Sequence, residues 1–390
     1  MKRLTEILLI ILTAGTGCVT IFYPDISEEE QSIVIEARVT DRNETHEVRI
    51  SWLQPLFSEV YDPPPASGFM VSVLDDAGNE YLFRNAGGGR YLSDSTEFLA
   101  TAGRKYKLHV EGDGHTYESD FVEMKPVPPI DSVYAGPEYN EFYYPGESTY
   151  GYQVYLDSHD PSGECRYFMW TFAETWEIRT PFRYPTIINR ICWKSATSTD
   201  INILSTTALT ESRVTAHPIT FITTETDRLI VKYSILVRQY SVTEEEFTYR
   251  DNLKKTVFEA GGLYDAIPGT ITGNIRCTDN PATPVLGFFG VSAVSEERLF
   301  IENVYTQFPD FYAYCPIDTI LASLYDPAVY GPDVYILDEW LVPDTPLKYV
   351  LTIHRECIDC SVTATVIMPD YWDAPGQKKT YHSLFDEAKR

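Results

Sequence analysis

Cys357 and Cys360, in the stretch "ECIDC" (356–360), have the C-x-x-C spacing at which two thiols can exchange with a disulfide or share a metal ion. A thioredoxin-type site would place that pair at the strand-to-helix turn of a βαβ unit. Here "LTIHRECIDC" follows an extended run instead, so the expected role is a structural disulfide. His354 and Cys315 could complete a zinc set with Cys357 and Cys360 by ligand type, but thiols in an oxidising compartment pair with each other first. No metal is therefore expected. His159-Asp160, with Asp157 close by in "LDSHDPSGEC", has the residue types of a catalytic dyad or a calcium loop. Asp-Pro-Ser-Gly is also ordinary turn chemistry, and the alternating acids of a calcium loop are missing. No nucleophile elbow, phosphate-binding loop, dinucleotide fingerprint or H-E-x-x-H occurs. The 57 acidic residues offer no privileged pair for glycoside hydrolysis. The expectation is a protein with no catalytic residues and no cofactor.

The seven cysteines divide into one and six. Cys18 follows a short basic start (Lys2, Arg3), an apolar run at 7–12 and the small residues 13–17. That layout is a secretory signal peptide over 1–17, too short to span a bilayer. A cysteine at its exit resembles a bacterial lipobox, in which Cys18 becomes the acylated first residue. Two or more acyl chains suffice for stable anchoring. Residues 18–30, with Glu28-Glu29-Glu30, read as an acidic tether, and acids in this position favour the cell-surface side of an outer membrane. The remaining cysteines, Cys165, Cys192, Cys277, Cys315, Cys357 and Cys360, are disulfide candidates of an exported chain. Cys165 and Cys192 could close one loop; among the other four, three pairings stay open.

The elements that must position these groups are strands. Aromatic residues make up 14% of the chain, 28 of them Tyr, and Val, Ile and Thr are frequent, which favours sheets. "SIVIEARV" places Ile33, Ile35, Ala37 and Val39 on one face, and "KYKLHV" turns Tyr106, Leu108 and Val110 inward. Turns at 76–79 and at Gly112-Asp113-Gly114 separate short strands at the spacing of a β-sandwich. The expected fold class is mostly β: an immunoglobulin- or fibronectin-like sandwich over 31–124, a Pro-rich linker over 125–132 ("KPVPPIDS"), and a larger β-rich, disulfide-stapled domain over 133–390. One helix is expected within it, capped by Ser241 with Glu244 in the box "SVTE". Lys254-Lys255 would lie in its last turn and Gly261-Gly262 would end it, with Tyr249, Leu253 and Val257 as its stripe. The net charge of −26 opposes any phosphate backbone, so nucleic acid is excluded as a partner. Exposed aromatic residues remain as the means of contact. In "YNEFYYPGESTYGYQVY" (139–155), Pro145-Gly146 indicates a loop, which makes Tyr139, Phe142, Tyr143, Tyr144, Tyr150 and Tyr152 the expected binding residues.

Several stretches taken together resemble a known family. They are Cys18 with its tether, "SIVIEARVTD" (32–41), "VPPIDSVY" (127–134), "YSVTEEEFTYRDNLKK" (240–255) and "GGLYDAIPGTITGNI" (261–275). "PVLGFFGVSAVSEERLFI" (284–301), "ECIDC" and "PDYW" (369–372) complete the set. The chain is similar to the Bacteroidota outer-membrane lipoproteins grouped as domain of unknown function 4249. That resemblance implies an outer-membrane location and partnership with a TonB-dependent outer-membrane transporter, as a non-catalytic accessory subunit in nutrient uptake. It implies no catalytic residue. The alternatives are a stand-alone surface glycan-binding protein or hydrolase, and a cell-surface scaffold or adhesin.

Overall fold

The computed structural model describes residues 32–53, 64–144, 147–259, 271–302, 315 and 317–373, apart from the side chains at 141–148 and 257–259. Cys18, the signal peptide and the tether lie outside the described residues, as do Gly261-Gly262. The described chain is mostly β, with one helix longer than a single turn.

Eight strands open it: β1 (Ile33–Thr40), β2 (Glu47–Trp52), β3 (Met70–Asp75), β4 (Glu80–Gly87), β5 (Arg90–Leu92), β6 (Lys105–Gly112), β7 (His115–Ser119) and β8 (Val122–Glu123). Period-2 alternation decides which face is buried: Ile33, Ile35, Ala37 and Val39 of β1 point inward, as do Tyr106, Leu108 and Val110 of β6. Strand β4 joins the two halves of the sandwich, pairing with β3 over Glu80–Phe83 and with β5 from Arg84 onward. The Asp75 carboxylate accepts the backbone N–H groups of Ala77 and Asn79 and so builds the β3–β4 turn. Each large aliphatic or aromatic side chain fully buried in this core is worth about 1.5–3 kcal/mol.

A second sandwich follows. Its first sheet has the order β14–β10–β9, from β9 (Ile130–Tyr144), β10 (Glu147–Asp160) and β14 (Ser212–Thr223). Facing it, β11 (Tyr167–Arg179) pairs with β12 (Ile191–Thr197), β13 (Asn202–Ser205) and β15 (Lys232–Ser241). Val154 and Leu156 from one sheet meet Phe168, Trp170, Ile235 and Val237 from the other in a single core. Trp170 Nε1 donates to Gln239 Oε1 at 3.0 Å, and Gln239 Nε2 donates to Ser158 Oγ and to the Pro128 carbonyl, both at 3.0 Å. The Lys125 carbonyl accepts from Ser241 Oγ at 2.6 Å. The Pro-rich segment is thus docked by its carbonyls onto the second sandwich.

The helix α1 (Glu244–Glu259) begins two residues later than the expected box. Thr243, whose Oγ1 accepts the Glu246 N–H at 3.2 Å, is the cap, and Ser241 is spent on the linker. The helix also runs past Lys254-Lys255, and its last turn holds no basic residue. Phe247 packs on Tyr167 of the second sandwich and Tyr249 on Phe288 of the returning segment described next.

That segment contains β16 (Ile275–Cys277), β17 (Val285–Leu286), β18 (Phe289–Ser292) and β19 (Val294–Glu302). Strand β16 pairs with β7, while β17 and β18 run parallel to β1, with Ala37 opposite Phe289. Residues 275–292 therefore belong to the first sandwich, which the expected limits 31–124 do not take in. Strand β19 then pairs with β15 of the second sandwich. A small sheet completes the described chain, in the order β20–β22–β21, from β20 (Ile317–Leu321), β21 (Val334–Leu341) and β22 (Lys348–His354).

Candidate functional site

Two disulfides define the C-terminal end. Cys192 of β12 bonds Cys360, and Cys315 bonds Cys357, with Cα separations of 5.8 and 5.7 Å. The two cysteines of "ECIDC" thus serve different bridges and form neither a dithiol pair nor a zinc set with Cys315. The expected Cys165–Cys192 loop does not form, and Cys165 and Cys277 are buried free thiols. Burial, followed by the Asp160 carboxylate, pushes the Cys165 thiol up to about 12, which leaves it protonated and inert at neutral pH. Asp160 itself accepts from the backbone N–H groups of Ser162 and Cys165 at 2.9 and 2.8 Å, so the His159-Asp160 stretch builds a turn.

The bridges close one wall of a cavity of about 640 Å³, lined among others by Ile178, Phe182, Ile230, Lys194, Asp227, Cys315 and Cys360. Its size suits a small ligand. Its charges are already engaged: Lys194 Nζ meets Asp227 Oδ2 at 2.7 Å, Trp176 Nε1 donates to Asp227 Oδ1 at 2.9 Å, and Arg179 pairs with Glu177 at 2.6 Å. Behind this wall, Glu174 accepts from Arg228 at 2.7 Å and from the Tyr233 hydroxyl at 2.8 Å. Burial, with Glu174 adding to it, raises the Tyr233 phenol well above its usual range, so it stays a neutral donor. The ion pairs in and behind this wall, Lys194 with Asp227, Arg179 with Glu177 and Arg228 with Glu174, hold its shape.

The "PDYW" segment is a plug. Trp372 is buried among Trp193 and Phe300, donates through Nε1 to Glu177 at 3.2 Å, and its carbonyl accepts from Lys232 at 2.6 Å.

Residues 139–144 and 147–155 of the aromatic stretch belong to the antiparallel strands β9 and β10, while Pro145-Gly146, on which the expected loop rests, lie outside the described residues. Tyr139 and Tyr150 face each other across the strand pair, ring centroids 4.8 Å apart and each 46% exposed, whereas Tyr152 is buried in the core. Tyr152 shares the core face with Val154 and Leu156, and Tyr150 lies on the same parity one step past the end of that core. Phe142, Tyr143 and Tyr144 lie on β9, their side chains outside the described residues. Sequence reasoning missed a different surface. The β20–β21 connection exposes Leu324 and Val329, the end of β21 exposes Leu341 and the disulfide segment exposes Ile367, with Val329 at 77% and Ile367 at 75%. Strand β21 hinted at part of it: "VYILDEWL" is apolar at six of eight positions, which one buried face cannot absorb, and Leu341 is left exposed.

Residues 19–298 match the family model described as Domain of unknown function (DUF4249). The chain belongs to this family. The DUF4249 match ends within β19, so the small sheet and both disulfide bonds' C-terminal partners lie beyond it. No curated protein matches the DUF4249 chain by sequence. Among solved structures, the BSP domain of a biofilm associated protein aligns over 73% of this chain and 61% of its own, at 8% identity and a TM-score of 0.13, too low to carry any argument. No helix among the described residues is long and apolar enough to cross a membrane.

Proposed function

We propose that this DUF4249 protein is a lipid-anchored, non-catalytic binding subunit of the outer membrane, held by Cys18 on the cell-surface side and partnered with a TonB-dependent transporter in nutrient uptake. The observation that carries the reading is the set of exposed apolar side chains of the β20–β21 connection, the end of β21 and the disulfide segment. A protein partner is the natural cover for exposed Leu, Val and Ile side chains at this end of the chain. The lipobox-like N-terminus supplies the membrane, and the family resemblance supplies the barrel as the partner. The cavity's paired Lys194 and Asp227 support binding rather than reaction.

The test is affinity capture from detergent-solubilised native membranes, with Val329→Asp and Ile367→Asp as the disrupting pair. Recovery of a TonB-dependent barrel with the wild type, and its loss with the pair, supports the reading; repeated recovery of the lipoprotein alone overturns it. Intact-mass measurement of the mature N-terminus checks the anchor, since a Cys18 without acyl chains removes the membrane from the account. A second reading, a stand-alone glycan-binding protein, draws on the exposed Tyr139–Tyr150 pair, because such rings stack on sugar faces. An oligosaccharide-dependent rise in Tm that Tyr139→Ala abolishes, with no transporter present, would favour it.

A further inference from the structure

We propose that His115, Cys277 and Asp279 form a zinc-class divalent metal site at the seam where the returning segment joins the first sandwich. Strand pairing creates the juxtaposition. Cys277 stands opposite Tyr117 in the β7–β16 ladder, and Thr278 N–H donates to the Thr116 carbonyl at 2.8 Å, extending the ladder one step. Asp279 then folds back over the start of β7. Its Oδ1 accepts the Thr116 N–H at 2.9 Å, and its Oδ2 lies 3.1 Å from His115 Nδ1. Cys277 Sγ is 3.8 Å from Asp279 Oδ1, and all three ligand atoms lie within 4.8 Å of one another.

A tetrahedral zinc with ordinary Zn–S, Zn–N and Zn–O bonds separates its ligand atoms by roughly 3.3–3.7 Å. The present atoms reach that by small shifts, the His115–Asp279 pair at 3.1 Å opening slightly and the thiol, 3.8 Å from Asp279 Oδ1, closing in. The donor set fits the metal as well: thiolate, imidazole and a single carboxylate select zinc over calcium or magnesium, which take oxygen ligands alone. Among the described residues this is the one group of three or more such side chains brought together. Cys277 is also one of two described cysteines left without a disulfide, and the other, Cys165, has no comparable neighbours. Burial differs across the site: the thiol is buried, His115 half-buried and Asp279 exposed. An ion held here would keep its fourth position toward solvent, open to water or to an added ligand. It would also tie residue 115 to residues 277 and 279, fastening the returning segment to the sandwich edge.

The experiment titrates the full mature chain, purified without reductant, with Co²⁺ as a spectroscopic probe and then with Zn²⁺ in competition. The expected result is one equivalent of Co²⁺ with a thiolate-to-cobalt charge-transfer band in the near ultraviolet, displaced by Zn²⁺. Cys277→Ser should abolish the band, Cys165→Ser should retain it, and Asp279→Asn, a conservative change at an exposed position, should weaken binding by roughly tenfold or more. Zinc should raise the Tm of the wild type and of Cys165→Ser, and raise that of Asp279→Asn less at the same zinc concentration. A folded wild type that shows no charge-transfer band, or a band that survives Cys277→Ser, overturns the proposal. So does Co²⁺ affinity unchanged in Asp279→Asn and His115→Ala alike. The capture experiment above involves none of these residues, so the two readings stand or fall separately.

Discussion

Replacing Glu246 by Gln tests the joint between the two sandwiches. Glu246 is fully buried at the third position of α1 and accepts from Arg38 of β1 and from Arg250 Nε at 2.7 Å. Arg38 continues to Ser292 Oγ at 2.6 Å and lies over the Tyr240 ring at 5.2 Å, so one guanidinium touches both sandwiches. Burial alone would push the Glu246 carboxyl up, but Arg38 and Arg250 outweigh it and hold the carboxyl below its ordinary value of 4.5. Removing one partner of a buried ion pair costs about 3–5 kcal/mol, because the other charge is left uncompensated. Arg38 and Arg250 retain 18% and 25% side-chain exposure, so water partly solvates them and the lower end, about 3 kcal/mol, is expected. At about 2–4 °C per kcal/mol this is a fall in Tm of roughly 6–12 °C, read by calorimetry or by urea denaturation. The pH dependence has a definite sign. A carboxyl held down in the folded state contributes fully above pH 4.5 and loses that contribution as pH falls through its folded value, so wild type and variant should converge in acid. The triple change Arg38→Met, Arg250→Met and Glu246→Leu should recover most of the loss, since an apolar set leaves no charge uncompensated. A Glu246→Gln protein within about 0.5 kcal/mol of wild type at pH 7, or a gap unchanged down to pH 3, would refute the argument.

Three further outcomes follow from the same structure. Changing Cys192 and Cys360 together to Ser opens a link between residues 168 apart in sequence and should cost about 2–4 kcal/mol by denaturation, while peptide mapping of the wild type should find Cys165 unalkylated until the chain unfolds. Gly287→Ala should cost at least about 1–3 kcal/mol, because Gly287 sits at φ +98° and an added Cβ would strike the Ile35 carbonyl of β1; an unchanged Tm would contradict the β1 pairing. His217 packs on Trp170 and is pushed down to about 4 by burial, with Lys254 adding to the effect. The unfolded chain therefore takes up this proton first, and stability should fall as pH drops from 6.5 toward 4, a slope that His217→Gln should reduce in Tm-versus-pH measurements.

What could be read from the sequence was local. Alternation in β1 and β6 gave the buried faces residue by residue, and Asp75 to Asn79 gave a hairpin turn, because both signals span only a few residues. The helix was placed correctly, but its cap was shifted by two, since Ser241 and Thr243 both offer a hydroxyl. The choice falls to Thr243 because the linker carbonyl at Lys125 claims Ser241. The disulfide partners could not be read at all: Cys192 and Cys360 are adjacent only because β12 lies beside the chain that bridges Trp193 to Thr365. The grouping of His115 with Cys277 and Asp279 was hidden for the same reason. Its members are about 160 residues apart and meet through a strand pairing with no local signature.

That long-range pairing changes what the Pro-rich segment means. Three prolines in four residues stiffen the chain and read naturally as a domain boundary, and a boundary there would leave β1 as a sheet edge with Ile33 and Ile35 beside unpaired backbone. The fold answers that hazard by bringing residues 285–292 back to cover β1 in parallel. Asn274 exchanges two side-chain hydrogen bonds with the Phe289 backbone, at 2.8 and 2.9 Å, to hold the covering strand in register. Since β18 runs on directly into β19, the strand that shields the first sandwich is covalently the strand that edges the second. The linker carbonyls of Lys125 and Pro128 are meanwhile bonded to Ser241 and Gln239. Two chain crossings, a docked linker and the Arg38–Glu246 pair thus join the halves. A displacement of β1 must shift β18, and through it β19 and the β15 sheet that carries the cavity wall.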